Sequence, residues 1–249
     1  MREPPRILTF GSLDSTNAEA RRLAEAGERG PVWITAGEQT AGRGRRGRAW
    51  STGRGDLAAT CLFTCERPPA EAAQIAFVTA LAVAETFDAF VPPSLVAIKW
   101  PNDVLVDAKK ASGILVESGP SPGGGLWVAV GCGVNLAHAP SDTERPATTA
   151  AEHLAGDLRA PPSPEAALAV LAEAFARRRE VWETYGFDPI ADAWTARAAG
   201  LHRPCIARLD QETIEGVAEG LDPDGALRLR LASGALRRIT AGDVFPVGA

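Results

Sequence analysis

Three short apolar segments joined by very short turns constrain the fold most. We predict strands at 95–99, 104–106 and 113–116, and only the turns at 101–103 and 107–110 separate them. Strands that follow one another this closely pair antiparallel, because a parallel connection needs about a dozen residues or more. We therefore expect a sheet of mostly antiparallel, hairpin-linked strands.

The rest of the first 199 residues adds helices to this sheet. Apolar runs predict further strands at 7–9, 32–36, 57–63 and 126–130. Helical periodicity predicts helices at 14–28, 70–90, 148–155, 164–185 and 189–199. Asp14 or Ser15 is expected to cap the first helix, and the segment 139–146 is expected to be a mobile linker. A mixed sheet with helices packed on it belongs to the α+β class.

The pattern changes near residue 200, where short strands predominate. We predict strands at 205–209, 213–219, 227–231 and 236–239, separated by polar turns. Leu227, Leu229 and Leu231 alternate with arginines, which is typical of a strand with one wet face. We therefore expect two domains, 1–199 and 200–249, the second a small β-barrel or meander.

Overall composition excludes several classes of protein. The net charge of −5 disfavours a general nucleic-acid binder. No segment is expected to reach the roughly 20 apolar residues of a membrane span, and the start MREPPRILTF lacks the pattern of a signal peptide. The four cysteines form no CxxC pair, and the three histidines show no ligand or triad spacing. We expect a cytoplasmic protein with reduced, mostly buried thiols.

Glycine and arginine dominate the loop predicted at 37–55, above all in the run GRGRRGRAW at 42–50. Glycines let the backbone approach a ligand, and arginines bind phosphate or carboxylate groups in bidentate fashion. The alternatives are a solvated loop or an RGG-like RNA-binding segment. Because RGG segments are usually repeated and this single run lies between two core strands, we favour an anionic ligand.

All three lysines of the chain lie close together. Of 26 basic residues, only Lys99, Lys109 and Lys110 are lysines. Lys99 and Asp103 flank one tight turn and Lys110 opens the next strand, so the hairpins can bring two ammonium groups and a carboxylate to one sheet edge. An ammonium group stabilises charge on a reacting phosphate, and a carboxylate binds Mg²⁺ or orients an amine. By spacing alone, a surface ion pair explains the cluster equally well.

Two further motifs are weaker. The sequence GCGVN at 131–135 follows an apolar strand but is not a dinucleotide fingerprint, because the third glycine is missing. Ser15, Thr16 and Asn17, together with Gln39, supply hydroxyls and amides that could read a neutral polar group. Helix capping is an equally ordinary explanation for the first three.

Taken together, DSTN, EQTAGRGRRGRAW, KWPND, KxSGILVE and GCGVN, in this order, resemble the biotin–protein ligase family. The resemblance spans about residues 13–135 and continues more weakly through GLDPDGALRLRL and ITAGDV, which resemble that family's small SH3-like barrel. It implies a catalytic domain related to class II aminoacyl-tRNA synthetases. Some members begin with a winged-helix DNA-binding domain, for which the DSTN motif near residue 13 leaves no room, so we expect neither DNA binding nor repression.

The resemblance also implies a reaction. Family members activate biotin with Mg·ATP to biotinyl-5′-AMP and pyrophosphate, and then pass biotin to a lysine of a biotin carboxyl carrier protein domain. The nearest alternative is a lipoate or octanoate ligase, and the intact glycine–arginine loop favours biotin. Membrane partners are not expected, and a homodimer is left open.

The matched motifs imply three overlapping sets of residues. Catalysis is assigned to Lys110, Arg45 and Asp103, and Asp103 is also the candidate Mg²⁺ ligand. Biotin binding is assigned to Ser15, Thr16, Asn17, Gln39, Arg43, Gly44, Arg45, Lys110 and Gly113. ATP and adenylate binding is assigned to Arg43, Arg45, Arg46, Arg48, Trp50, Lys99, Asn102, Lys110 and Asn135. The segment after Asn135 offers no obvious aromatic residue to stack on adenine.

Overall fold

A computed structural model describes residues 5–140 and 146–247. The larger of its two sheets has the strand order β1-β2-β3-β7-β6-β5-β4. Its strands are β1 (Ile7–Leu13), β2 (Val32–Gln39), β3 (Leu57–Cys65), β4 (Val96–Lys99), β5 (Asp103–Val106), β6 (Lys109–Pro120) and β7 (Leu126–Val134). The β1–β2 pair is parallel and the other pairs are antiparallel, which confirms the expected hairpin-linked sheet.

Helices cover both faces of this sheet. They are α1 (Thr16–Glu25), α2 (Pro69–Ala72), α3 (Ile75–Asp88), α4 (Pro164–Tyr185) and α5 (Asp188–Thr195). On one face α1 packs through Ala20 and Ala24 onto Ile34 and Leu62. On the other face α3 to α5 enclose the main core, where the Phe175 ring lies edge-on to Trp33 with ring centroids 5.6 Å apart. Each large apolar side chain buried in this way contributes about 1.5–3 kcal/mol to folding.

The segment that contains α2 and α3 is more apolar than we expected from the sequence. The segment Pro69–Asp88, which contains α2 and α3, is long and apolar enough for a membrane span, which corrects the expectation that no segment reaches that limit. Most of this segment is buried inside the protein. A helix that is apolar all round is also what the core of a globular domain requires.

The second sheet follows the change in pattern near residue 200. Its strands are β8 (Pro204–Arg208), β9 (Thr213–Leu221), β10 (Leu227–Arg230), β11 (Leu236–Ile239) and β12 (Asp243–Pro246), in the order β11-β10-β9-β8-β12. This antiparallel sheet has the strand arrangement of the expected small SH3-like module but does not close into a barrel. Buried Leu227 and Leu229 join the main core, so the two sheets share one hydrophobic interior. The sequence did not predict β12.

Several predicted elements differ from the structure. Instead of a helix at 148–155 there is one 3-10 turn, Ala151–His153, because the backbone turns extended at Leu154 (ψ 135°) and the helical turn ends there, although the Thr149 hydroxyl accepts the N–H of Glu152 as a helix cap does. The predicted helix at 70–90 is interrupted between α2 and α3. Ser15 stands at the N-cap of α1 without a side-chain capping bond. Residues 141–145 of the predicted linker lie outside the described residues.

Candidate functional site

A cavity of about 460 Å³ lies where the glycine–arginine loop meets both sheets. This volume is in the range of small-molecule sites. Every predicted site residue except Arg46 lines it: Ser15, Thr16, Asn17, Gln39, Arg43, Gly44, Arg45, Arg48, Trp50, Lys99, Asn102, Asp103, Lys110, Gly113 and Asn135. Motifs that are more than 100 residues apart in the chain therefore meet in one place.

Alternate residues at the end of β7 and directly after it form the floor of this cavity. Gly131, Gly133 and Asn135 succeed one another at intervals of two, so they face the same side and lie about 6.7 Å apart along the strand. A Cβ on Gly131 would lie 2.3 Å from Asn17 Oδ1, and a Cβ on Gly133 would lie 2.0 Å from Trp50 Cε2. Asn17 and Trp50 therefore need glycine beneath them, and they occupy successive positions along the floor.

A neutral polar cluster surrounds the Asn17 end of the cavity. Gln39 Oε1 accepts the backbone N–H of Thr16 at 2.9 Å and its hydroxyl at 3.2 Å. The hydroxyl of Thr60 lies 2.7 Å from Asn17 Oδ1 and 2.8 Å from Thr16 Oγ1. The Asn17 amide donates to Glu117 Oε2 at 2.7 Å. The predicted polar residues are therefore held by a connected set of hydrogen bonds, which suits a site that reads a neutral polar group.

Two residues that support this cluster escaped the sequence analysis. Thr60 is fully buried on β3, and Glu117 lies on β6. Glu117 is the last residue of the motif KxSGILVE, and the sequence predicted no role for it. The signal that could have revealed Thr60 is a polar residue inside the otherwise apolar run of β3.

The predicted group of two lysines and one carboxyl is present and largely buried. Asp103 Oδ1 lies 2.7 Å from Lys110 Nζ, and Asp103 Oδ2 lies 3.4 Å from Lys99 Nζ. Burial would raise the pKa of Asp103, but the two ammonium groups outweigh it, and the net effect is a pKa below the ordinary value. Asp103 is therefore a carboxylate that holds two cations at the edge of the cavity.

The surroundings of Asp103 do not suit a direct Mg²⁺ ligand. Each of its carboxyl oxygens faces a lysine ammonium group, which would repel a divalent cation. Among residues 5–140 and 146–247, no three His, Cys, Asp or Glu side chains are grouped as a metal site would require. Mg²⁺ is commonly bound mainly by the phosphates of a nucleotide, with only one or two protein carboxylates.

The glycine–arginine loop forms a compact hairpin over the cavity. Gly44 N–H donates to Arg48 O at 2.7 Å, and Trp50 N–H donates to Gly42 O at 2.9 Å. Between them is a 3-10 turn, Arg45–Gly47, in which Arg46 adopts a left-handed φ of 57°. A Cβ on Gly42 would lie 2.4 Å from Trp50 O, so this hairpin cannot close as tightly with any other residue there.

Three arginines of the loop contact the second sheet. Arg48 donates to the Asp243 carboxyl at 2.8 and 3.1 Å. Arg45 donates to Asn102 Oδ1 at 3.0 Å and to Gly242 O at 3.2 Å, and its burial lowers its pKa. Arg46 does not line the cavity and forms ion pairs with Asp210 and Asp243. The place of Arg46 therefore differs from that of Arg43, Arg45 and Arg48, which line the cavity.

Two cavity residues come from β12, which the sequence did not predict. Asp243 and Phe245 line the cavity, and the Phe245 ring lies 5.9 Å from Lys99 Nζ. Asp243 and Phe245 are two residues apart on a short strand, so their side chains face the same side of the sheet. The sequence signal was weak, because DVFP is only four residues long and ends in proline. The functional site is therefore shared by both sheets.

Comparison with known proteins gives consistent results along the chain. The model of the biotin/lipoate A/B protein ligase family matches residues 10–135, and that of the biotin protein ligase C-terminal domain matches residues 200–245. The chain is 46% identical over 234 residues to a biotin–[acetyl-CoA-carboxylase] ligase of Paracoccus denitrificans, covering 93% of this chain and 97% of that protein.

Solved structures share the fold. The biotin protein ligase of Aquifex aeolicus in complex with biotin and ATP superposes with a TM-score of 0.79 at 24% identity, over 96% of this chain and 97% of the other. The biotin protein ligase of Leishmania major in complex with biotinyl-5-AMP superposes with a TM-score of 0.61 at 27% identity, over 96% of this chain and 100% of the other.

Proposed function

Because the chain belongs to the biotin/lipoate A/B protein ligase family, we propose that its cavity makes biotinyl-5′-AMP and passes the biotinyl group to a carrier lysine. Its activity is biotin–protein ligation with biotin and ATP as substrates. The roles of individual residues in that reaction are the substance of the proposal, together with the division into domains 1–199 and 200–249.

The order of contacts along β7 suggests how the substrates lie. The neutral cluster of Thr16, Asn17 and Gln39 suits the uncharged ureido head of biotin, because it offers both donors and acceptors. Ser15 lines the same end. The carboxylate of biotin then points toward Lys110, whose Nζ lies 5.6 Å from the centre of the Trp50 ring. Asn135, beyond Trp50, is assigned to adenine or ribose.

In the first step a carboxylate oxygen of biotin attacks the α-phosphorus of ATP, and pyrophosphate leaves. Lys110 stabilises the negative charge that develops on the α-phosphate, and Lys99 and the loop arginines Arg43, Arg45 and Arg48 bind the remaining charge. No covalent enzyme intermediate is required, since positioning and charge stabilisation account for the step.

In the second step the carrier lysine attacks the acyl carbon, and AMP leaves. We assign the orientation of the incoming amine to Asp103, whose buried carboxylate already binds two ammonium groups. The glycine–arginine loop acts as a lid that shields the adenylate from water until the carrier arrives. Mg²⁺ bound to the phosphates of ATP would neutralise part of their charge.

The single observation that supports this function best is the convergence of the neutral polar cluster and the cationic group in one cavity. Exchange of labelled pyrophosphate into ATP tests it. We expect exchange that depends on biotin and not on lipoate or octanoate. Stimulation by lipoate alone would refute the choice of biotin, and a gel shift showing sequence-specific DNA binding would support regulation instead.

The partners of the enzyme belong to the same proposal. We propose a biotin carboxyl carrier protein domain as acceptor and no role for DNA or a membrane. The free, buried cysteines suit the cytoplasm. The outer edge of β1, where Ile7 is 40% exposed, suits pairing with a second copy. Light scattering across a range of concentrations, with and without biotinyl-AMP, tests the homodimer.

A further inference from the structure

One buried carboxyl group beside the cavity has no part in the site described so far. Asp56 directly precedes β3, and its side chain is only 5% exposed. Its Oδ1 accepts backbone N–H bonds from Leu136 (2.9 Å), Ala137 (2.8 Å) and His138 (2.9 Å). Its Oδ2 accepts the N–H of Gly53 at 3.0 Å. A single carboxyl group therefore binds four backbone N–H groups from two loops.

These two loops lead directly to walls of the cavity. Gly53 ends the segment that carries Trp50 and Ser51, and residues 136–138 join Asn135 to Pro140. Successive N–H groups that converge on one point form a nest of the kind that binds anions. Here the anionic group is part of the protein, so the nest serves to join the loops.

The junction is also closely packed. A Cβ on Gly53 would lie 2.7 Å from Asp56 Oδ2 and 2.8 Å from His138 Cβ. The two loops are therefore in close contact at Gly53, and the four hydrogen bonds of Asp56 hold them together. The distance between the two walls is set here.

We propose that Asp56 is a positioning residue for the nucleotide, which fixes the wall carrying Trp50 relative to the wall carrying Asn135 and Pro140. The proposal rests on the function proposed above, in which Trp50 and Asn135 bind ATP. Within the described residues, the hydrogen bonds of Thr16 and Asn17 do not involve Asp56. Loss of Asp56 is therefore expected to weaken binding of ATP and to leave binding of biotin largely unchanged.

Kinetics of Asp56→Ala and Asp56→Asn test this role. For the alanine variant we expect the KM for ATP to rise about 10-fold or more, because several charge-assisted hydrogen bonds are lost together. The Kd for biotin, measured by calorimetry without ATP, should stay within about threefold of the wild-type value. Asparagine keeps an oxygen for residues 136–138, so it should restore most of the ATP affinity. If Asp56 only stabilised the fold, its loss would lower the fraction of active enzyme and leave the KM for ATP and the Kd for biotin unchanged.

A second variant keeps the proposal testable if alanine prevents folding. Gly53→Ala forces the two loops apart and does not touch the cavity lining, so it should raise the KM for ATP alone. Gly11→Ala is the matched control, because a Cβ there meets nothing within 4 Å. A folded Asp56→Ala or Gly53→Ala variant with the wild-type KM for ATP, or with equal losses for biotin and ATP, overturns the proposal. Failure of the wild-type chain to catalyse biotin-dependent exchange would overturn the proposed function instead.

Discussion

Replacing Gly133 with alanine tests the layout of the cavity floor most directly. A Cβ at this position would lie 2.0 Å from Trp50 Cε2, whereas ordinary contacts begin near 3.4 Å. The indole must therefore retreat by about 1.4 Å, the difference between these two distances. The backbone cannot yield instead, because Gly133 is paired with Ala58 on one side and with Gly113 on the other.

The size of the effect follows from the cost of overpacking. Inserting a methyl group into a packed site costs about 1–3 kcal/mol. If this free energy destabilises the complex with ATP and leaves the free enzyme unaffected, kcat/KM for ATP falls roughly 5- to 150-fold, since each 1.4 kcal/mol is a factor of ten. Gly113→Ala should cost less, because a Cβ there would lie 2.9 Å from Trp50 Cζ3.

Pyrophosphate exchange in a double-mutant cycle with Trp50→Ala provides the assay. If Gly133→Ala acts by displacing the indole, it should cause little further loss once the indole is absent. Thermal unfolding of each variant serves as the control for folding. An equal loss from Gly133→Ala in both backgrounds would refute the argument.

Three further predictions concern the cationic side of the cavity. Lys110→Ala should reduce biotin-dependent exchange about 10²- to 10³-fold while the neighbouring Lys109→Ala, outside the cavity lining, stays near wild type; equal effects would remove Lys110 from its role. Arg45→Gly loses its bonds to Asn102 and to the second sheet, so release of biotinyl-AMP should accelerate about 10- to 100-fold in a trapping assay. Because the folded-state pKa of Asp103 is lowered, its stabilising effect is present at neutral pH and is lost as the pH falls through that pKa. The difference in Tm between wild type and Asp103→Asn should therefore shrink below about pH 4, and a difference that is constant with pH would contradict this.

The sequence predicts well what local chemistry dictates. The hairpins at 95–116 were predictable because their turns are too short for any other connection, and the buried helix α3 because its apolar residues follow a helical period. The predicted helix at 148–155 was wrong because the chain becomes extended at Leu154 after a single 3-10 turn, and residue periodicity does not reveal where a helix stops. The length of α1 was also overestimated. The prediction ran to residue 28, but the helix ends at Glu25, and Gly27 with a φ of 97° cannot continue it.

Long-range partners were harder to predict. Asp56 stands in a loop motif with no distinctive neighbours, and its significance depends on N–H groups some 80 positions away. Asp243 and Phe245 lie on a strand too short to show alternation. The end of β7 did carry a signal, because its two glycines, Gly131 and Gly133, and the following Asn135 stand at intervals of two. That signal becomes readable only when the segment is known to be a strand rather than the loop after one.

The placement of Asp243 and Phe245 in the cavity has a practical consequence. A polypeptide cut between β7 and β8 would leave the lysines and the glycine–arginine loop on one fragment and these two lining residues on the other. Neither fragment would carry a complete set of cavity residues, so we expect biotin transfer only when both fragments are present. The enzyme thus has the arrangement needed for a split reporter. Each fragment would be fused to one of two proteins, and biotin attached to the carrier would show that the two proteins had bound each other.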